Sequence, residues 1–199
     1  MDVSGPHVDG RGFGQPVPRG GCHKYFLMAV FQPPPADDGK AKKAWPYIRW
    51  LRSKQGQEVL RAVQSVIAAV NAAHAGKAVW RVHTDRGGEF VNIGLKSWLA
   101  SQAVEYTTTE GHDPAANGAA ESMIGKIKSR ARALLAVASL DTGLWTFAAM
   151  HATWCSRQQA QERPAIDTPI FGKKIWVREG ARERRLQATS FNCSIPGLC

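Results

Sequence analysis

Long apolar runs are missing from this sequence. Nowhere do eighteen consecutive apolar residues occur, so no membrane-spanning helix is expected. The N-terminus lacks a basic-then-apolar pattern, which argues against secretion. Cysteine is scarce: Cys22, Cys155, Cys193 and Cys199 make no Cys-x-x-Cys pair. The histidines (His7, His23, His74, His83, His112 and His151) are equally scattered. That spacing argues against a structural zinc site, and reduced intracellular thiols are expected. Acidic residues are also in short supply, 16 Asp and Glu against 26 Lys and Arg.

What is present is a globular composition. The chain has 199 residues, 44% of them hydrophobic, which suits one domain with a full core, or one domain plus a tail. A formal net charge of +10 favours polyanions, and nucleic acid is the obvious partner.

The most informative stretch is 79–121. Val79-Trp80-Arg81-Val82-His83-Thr84 is rich in bulky and β-branched residues and reads as a short buried strand. It ends at Asp85, before the turn Gly87-Gly88. Thirty-five residues then separate Asp85 from Glu121, which opens a helical pattern just after Asn117-Gly118. A carboxylate at a strand's end and another at a helix start can meet in space. Hard divalent cations favour such oxygen ligands.

Before this stretch, Lys24–Phe31 is apolar on both faces and reads as an interior strand. Residues 32–44 form a polar, proline-led insertion whose Asp37 and Asp38 read as solvated surface. Tyr47–Leu51 reads as a strand. Val59, Val63, Val66, Ile67 and Val70 mark an amphipathic helix closing near Gly76. Phe90 reads as core and Glu89 as structural. After it come a short helix over 92–100, a strand over 104–108 and a glycine-containing loop over 109–118.

A helix over 119–137 places Glu121, Gly125, Lys128 and Arg132 on one face. Ile124, Ile127, Ala131 and Leu134 line the opposite, buried face. A last helix spans 144–161, with Trp145, Ala148, Ala149, Ala152 and Cys155 assigned to the core. Residues 172–185 alternate basic and apolar and suit one or two β-strands.

The words His83-Thr84-Asp85-Arg86-Gly87-Gly88-Glu89-Phe90, then Pro114-Ala115-Ala116-Asn117-Gly118-Ala119-Ala120-Glu121-Ser122, then Arg130-Ala131-Arg132-Ala133-Leu134-Leu135 have a recognisable combination. It resembles the catalytic core of retroviral and retrotransposon integrases, closest to the copia-type branch. The resemblance covers roughly residues 1–172. It implies an α/β, RNase H-like fold, with a mixed five-stranded sheet flanked by helices. Asp2, ahead of Gly5-Pro6, looks like the family's first acid, which lies within the first strand. Only Met1 precedes it here, so that strand is expected to be truncated. Ser122 stands where the family commonly has Arg.

The resemblance further implies a catalytic core over 1–165 and a basic, incomplete C-terminal extension over 166–199. Asp2, Asp85 and Glu121 would be the catalytic acids and the ligands of two Mg²⁺ or Mn²⁺ ions, for phosphoryl transfer on DNA. Lys126, Lys128, Arg132, Asn117 and His112 would contact nucleic acid, with Asn117 also plausible as a helix cap. The expected partners are retroelement ends, target DNA and further copies of the chain, without a membrane. The expected location is intracellular, and nuclear when active. Two other readings stand beside this one. The first is an RNase H-like nuclease without joining activity. The second is a degenerate or repurposed fragment that only binds nucleic acid.

Overall fold

The computed structural model describes residues 1–10, 23–35, 39, 41–74, 76–109, 118–162 and 170–173, with the backbone alone of 178–179 and 182–183. Strands β1 (Asp2–Ser4), β2 (Tyr25–Phe31) and β3 (Trp45–Leu51) are followed by helix α1 (Gly56–Ala73). Strand β4 (Arg81–Thr84), helix α2 (Ile93–Ser101) and strand β5 (Glu105–Thr108) come next. Helices α3 (Gly118–Val137) and α4 (Trp145–Ala160) complete the body. Two-residue strands β6 (Arg178–Glu179) and β7 (Arg182–Glu183) pair antiparallel, inside the stretch expected to be β.

β2 is an interior strand, as its apolar faces suggest. It pairs antiparallel with β1 on one side and β3 on the other, with Asp2 opposite Met28 and Phe26 opposite Trp50. Alternation along a strand sends neighbouring side chains to opposite faces. Leu27 and Ala29 therefore join one core with Val59, Val63, Val66 and Val70 of α1. Phe26 and Met28 join another with Ile124 and Ile127 of α3 and Ala148 of α4. The result is three layers, with helices on both faces of the strands. Pro46 lies within β3, an edge strand of its sheet, the kind of strand in which proline is tolerated.

β4 pairs with β5 in parallel, Arg81 opposite Glu105. The five expected strands are present and mixed in direction, but they form two hydrogen-bonded groups, β1-β2-β3 and β4-β5. Met1, the residue before β1, donates to the His83 carbonyl of β4. Beyond Met1 a cavity of about 310 Å³ separates β2 from β4, lined by Ala29, Phe31, Val66, Val79 and Val82.

Two details of the helices differ from the periodicity argument. The buried stripe of α3 ends on Leu135, with Leu134 only half-buried. In α4 the buried set includes Thr146 and Thr153, while Trp145 and Cys155 are half-buried. The Thr153 hydroxyl donates to the Ala149 carbonyl at 2.7 Å, which makes its burial cheap. α2 starts where its sequence suggests, with Asn92 Oδ1 accepting the Leu95 N–H at 2.6 Å.

Phe90 is fully buried against α1 and α2. Phe90→Ala should destabilise the fold by about 3–5 kcal/mol. Urea unfolding followed by circular dichroism checks this, and a loss below about 1 kcal/mol would contradict the packing described.

Candidate active site

Asp85 directly follows β4, and its surroundings are tightly tied. The buried Thr84 hydroxyl lies 2.9 Å from the Asp85 carbonyl and 3.1 Å from the Tyr106 hydroxyl. Tyr106 also donates to the Phe90 carbonyl at 3.3 Å. Asp85 Oδ1 accepts the Gly87 N–H at 3.1 Å, so the carboxylate caps its own turn.

Gly87 has a steric role. A Cβ there would stand 2.8 Å from Glu89 Oε2 and 3.0 Å from Asp85 Oδ1. The carboxylates of Asp85 and Glu89 thus border one small space, and a methyl there would push these side-chain ends aside. Glu89 is held by the Lys54 ammonium at 3.1 Å, which ties the turn to the segment before α1. That pairing agrees with a structural Glu89.

Asp2 lies on β1 and Glu121 in the first turn of α3. Val3 packs with the α1 core, so alternation turns Asp2 and Ser4 toward the α3 side. Burial, then the charge of Asp85, push the Asp2 carboxyl above the usual aspartate range. Glu121 adds to that push, while the Val3 N–H and the Met1 ammonium pull the other way. Two acids distant in sequence, Asp85 and Glu121, therefore both bear electrostatically on Asp2. They do not close up: among the described residues, no three His, Cys, Asp or Glu side chains form a group able to hold a metal ion.

Burial lowers the Met1 ammonium pKa from 8.0 to about 6, against the opposing pull of Asp2 and Asp85. Lys126 and Arg132 are exposed on α3 and Lys128 is half-buried. Asn117 and His112 lie outside the described residues, as do Asp37 and Asp38.

Sequence reasoning passed over His7. Its ring stacks on Phe26 at 5.4 Å and 12°, lies 4.9 Å from the Trp145 ring, and approaches Ser4 Oγ at 3.3 Å. Burial, then Lys128 and Arg132, hold its pKa below the usual histidine value. The only sequence signal was its position five residues after Asp2.

No family model matches the chain. Over 173 residues, 87% of its length, it is 25% identical to the retrovirus-related Pol polyprotein from transposon TNT 1-94 of Nicotiana tabacum. The chain spans 12% of that polyprotein. The similarity to retrotransposon sequence inferred from the motifs is thus borne out. Among solved structures, a chain of a simian T-cell lymphotropic virus intasome complexed with a PP2A regulatory subunit is 15% identical, with a TM-score of 0.49. That alignment covers 77% of this chain and 59% of the other. The catalytic core domain of BIV integrase is 11% identical with a TM-score of 0.42, over 69% of this chain and 95% of the other.

Burial, the first cause in each case, lowers the pKa of His7, His23 and His151 below the usual histidine value. Below about pH 6.5 the unfolded chain therefore holds protons that the folded chain has released, so stability rises with pH up to that point. Thermal melts from about pH 5.5 to about pH 7 check it; a melting temperature that falls across this range would exclude buried, neutral histidines.

Proposed function

We propose that this chain is the catalytic domain of a retrotransposon-type integrase, a polynucleotidyl transferase acting on DNA ends and target DNA. The observation that supports the reading is that Asp85, at the end of β4, and Glu121, at the start of α3, both bear electrostatically on Asp2 of β1. The similarity to a retrovirus-related Pol polyprotein supports it.

The donor set suits a hard divalent cation. All three groups are carboxylates, and burial, then the like charge of Asp85, raises the Asp2 pKa. Asp2, Asp85 and Glu121 are the residues that would hold Mg²⁺ or Mn²⁺. Two such ions, when bound, supply the Lewis acidity that activates an attacking oxygen and stabilises the leaving one.

The chain's own residues do the rest. Thr84, Tyr106 and the Gly87 N–H hold Asp85 in place. Lys126, Lys128 and Arg132 offer cations along α3 for DNA phosphates, so binding is mainly to the backbone and weakens with salt. His112 and Asn117 are proposed DNA contacts in the segment before α3. Residues 1–165 form the proposed core, with 166–199 a basic extension. Self-association and a nuclear site of action complete the proposal.

One observation favours the alternative of a chain that binds nucleic acid without chemistry: among the described residues no three His, Cys, Asp or Glu side chains form a metal-holding group. Glu121→Gln separates the two readings. It should abolish Mg²⁺- or Mn²⁺-dependent cleavage of a DNA end and leave DNA binding intact. Wild-type cleavage by the variant would remove Glu121 from the mechanism, and no cleavage by the wild type would favour the binding-only reading. A pre-cut DNA end distinguishes an integrase, which joins it to target DNA, from a nuclease that only cuts.

Gly87→Ala offers a second test. The added methyl displaces the ends of Glu89 and Asp85 while leaving the core alone. Cleavage should fall at least about tenfold, the cost of roughly 1.4 kcal/mol, with the melting temperature nearly unchanged. Full activity would mean that the space between the two carboxylates plays no part.

A further inference from the structure

The segment from His7 to Gly10 is clamped across the face of β2 and the start of α4. The His7 N–H donates to the Lys24 carbonyl at 2.7 Å. Trp145 Nε1 donates to the Val8 carbonyl at 2.8 Å, and Gly10 and His23 exchange backbone bonds at 3.0 and 3.1 Å. Gly10 lies so close to Trp145 that a Cβ would stand 2.6 Å from the indole nitrogen. The clamp places the half-buried His7 ring among Phe26, Trp145 and Ser4. Trp50 meets Trp145 edge-on at 5.4 Å and extends the aromatic group.

Two cations face this cluster. Lys128 and Arg132 both act on His7, and among the described residues no carboxylate pairs with either. Uncompensated positive charge beside a half-exposed aromatic face suits a phosphate joined to a planar base. The position along α3 is also suitable. Lys128 and Arg132 follow Glu121 by seven and eleven residues, about 10 and 16 Å along the axis and on nearly the same face.

We propose that His7 and Trp145, with Lys128 and Arg132, form a site for one unpaired nucleotide of a DNA strand leaving the carboxylate cluster. The base packs on the His7 and Trp145 rings and its phosphate lies between the two cations. The site rests on the reading of the chain as a DNA-binding enzyme and deepens it, since base stacking is added to phosphate contact. His7 is a binding residue here, and it takes no part in the chemical step.

The test uses the full chain and fluorescence anisotropy at fixed low salt, with three labelled duplexes. One is blunt, one carries a three-nucleotide single-stranded overhang, and one carries the same overhang with abasic sites. The wild type should bind the intact overhang at least about fivefold more tightly than the abasic one, the scale of one stacked base. His7→Ala should erase that preference and leave blunt-duplex binding unchanged, while His7→Phe, which keeps a flat ring, should restore it. Replacing both Lys128 and Arg132 by Gln should weaken all three complexes. Equal wild-type affinity for intact and abasic overhangs overturns the site, as does a preference that survives His7→Ala. Blunt-duplex binding without a base preference sinks only this inference, whereas failure to bind any of the three sinks the DNA reading with it.

Discussion

The molecule depends on β2 being buried on both faces. Its residues alternate between two cores, Leu27 and Ala29 toward α1, Phe26 and Met28 toward α3 and α4. No polar side chain interrupts Tyr25–Phe31, so each face has to be covered by helices. The three-layer arrangement follows from that requirement. So does the position of α3, whose buried stripe of Ile124, Ile127 and Ala131 is pinned to the sheet. Glu121, one turn before this stripe begins in earnest, is carried to the sheet's edge by the packing of residues that do no chemistry.

β1 is the weak member of this scheme and the most consequential. It has three residues, all paired with β2, and a single bond from Met1 to β4. The two groups of strands are joined through it, and it also carries Asp2. Here stability and function conflict. Burial, then the charge of Asp85 and, least, that of Glu121, push the Asp2 carboxyl above the usual range, a cost that the fold tolerates. Strain of this kind concentrates where charge is later used, which is why the cluster supports an enzymatic proposal despite its open form.

A similar balance governs the strap after β1. Burial, then the cations of α3, lower the His7 pKa, so the aromatic cluster gains a positive rim while charge at its centre is disfavoured. Trp145, assigned to the core on periodicity, is instead half-buried at the rim of that cluster. Amphipathic aromatics commonly sit this way, with an apolar body and a polar handle; here the indole N–H holds the Val8 carbonyl.

Local patterns in the sequence sufficed for the elements. The apolar run of β2, the valine spacing of α1, the Asn92 cap and the stripe of α3 each act over a few residues, and such short-range physics is readable from the order of side chains. The prospective acids were legible too, through the Gly-Gly turn after Asp85 and the helix start at Glu121. Other features depended on contacts between residues far apart in the chain. Leu135 rather than Leu134 reaches the core because neighbouring elements, not helical period alone, select the buried residue. The division between β1 and β4, the Lys54–Glu89 pair across the turn and the convergence of His7 with Lys128 and Arg132 belong to the same class. No pattern of neighbours encodes such meetings, because the energy that makes them is the burial of the whole sheet between its helices.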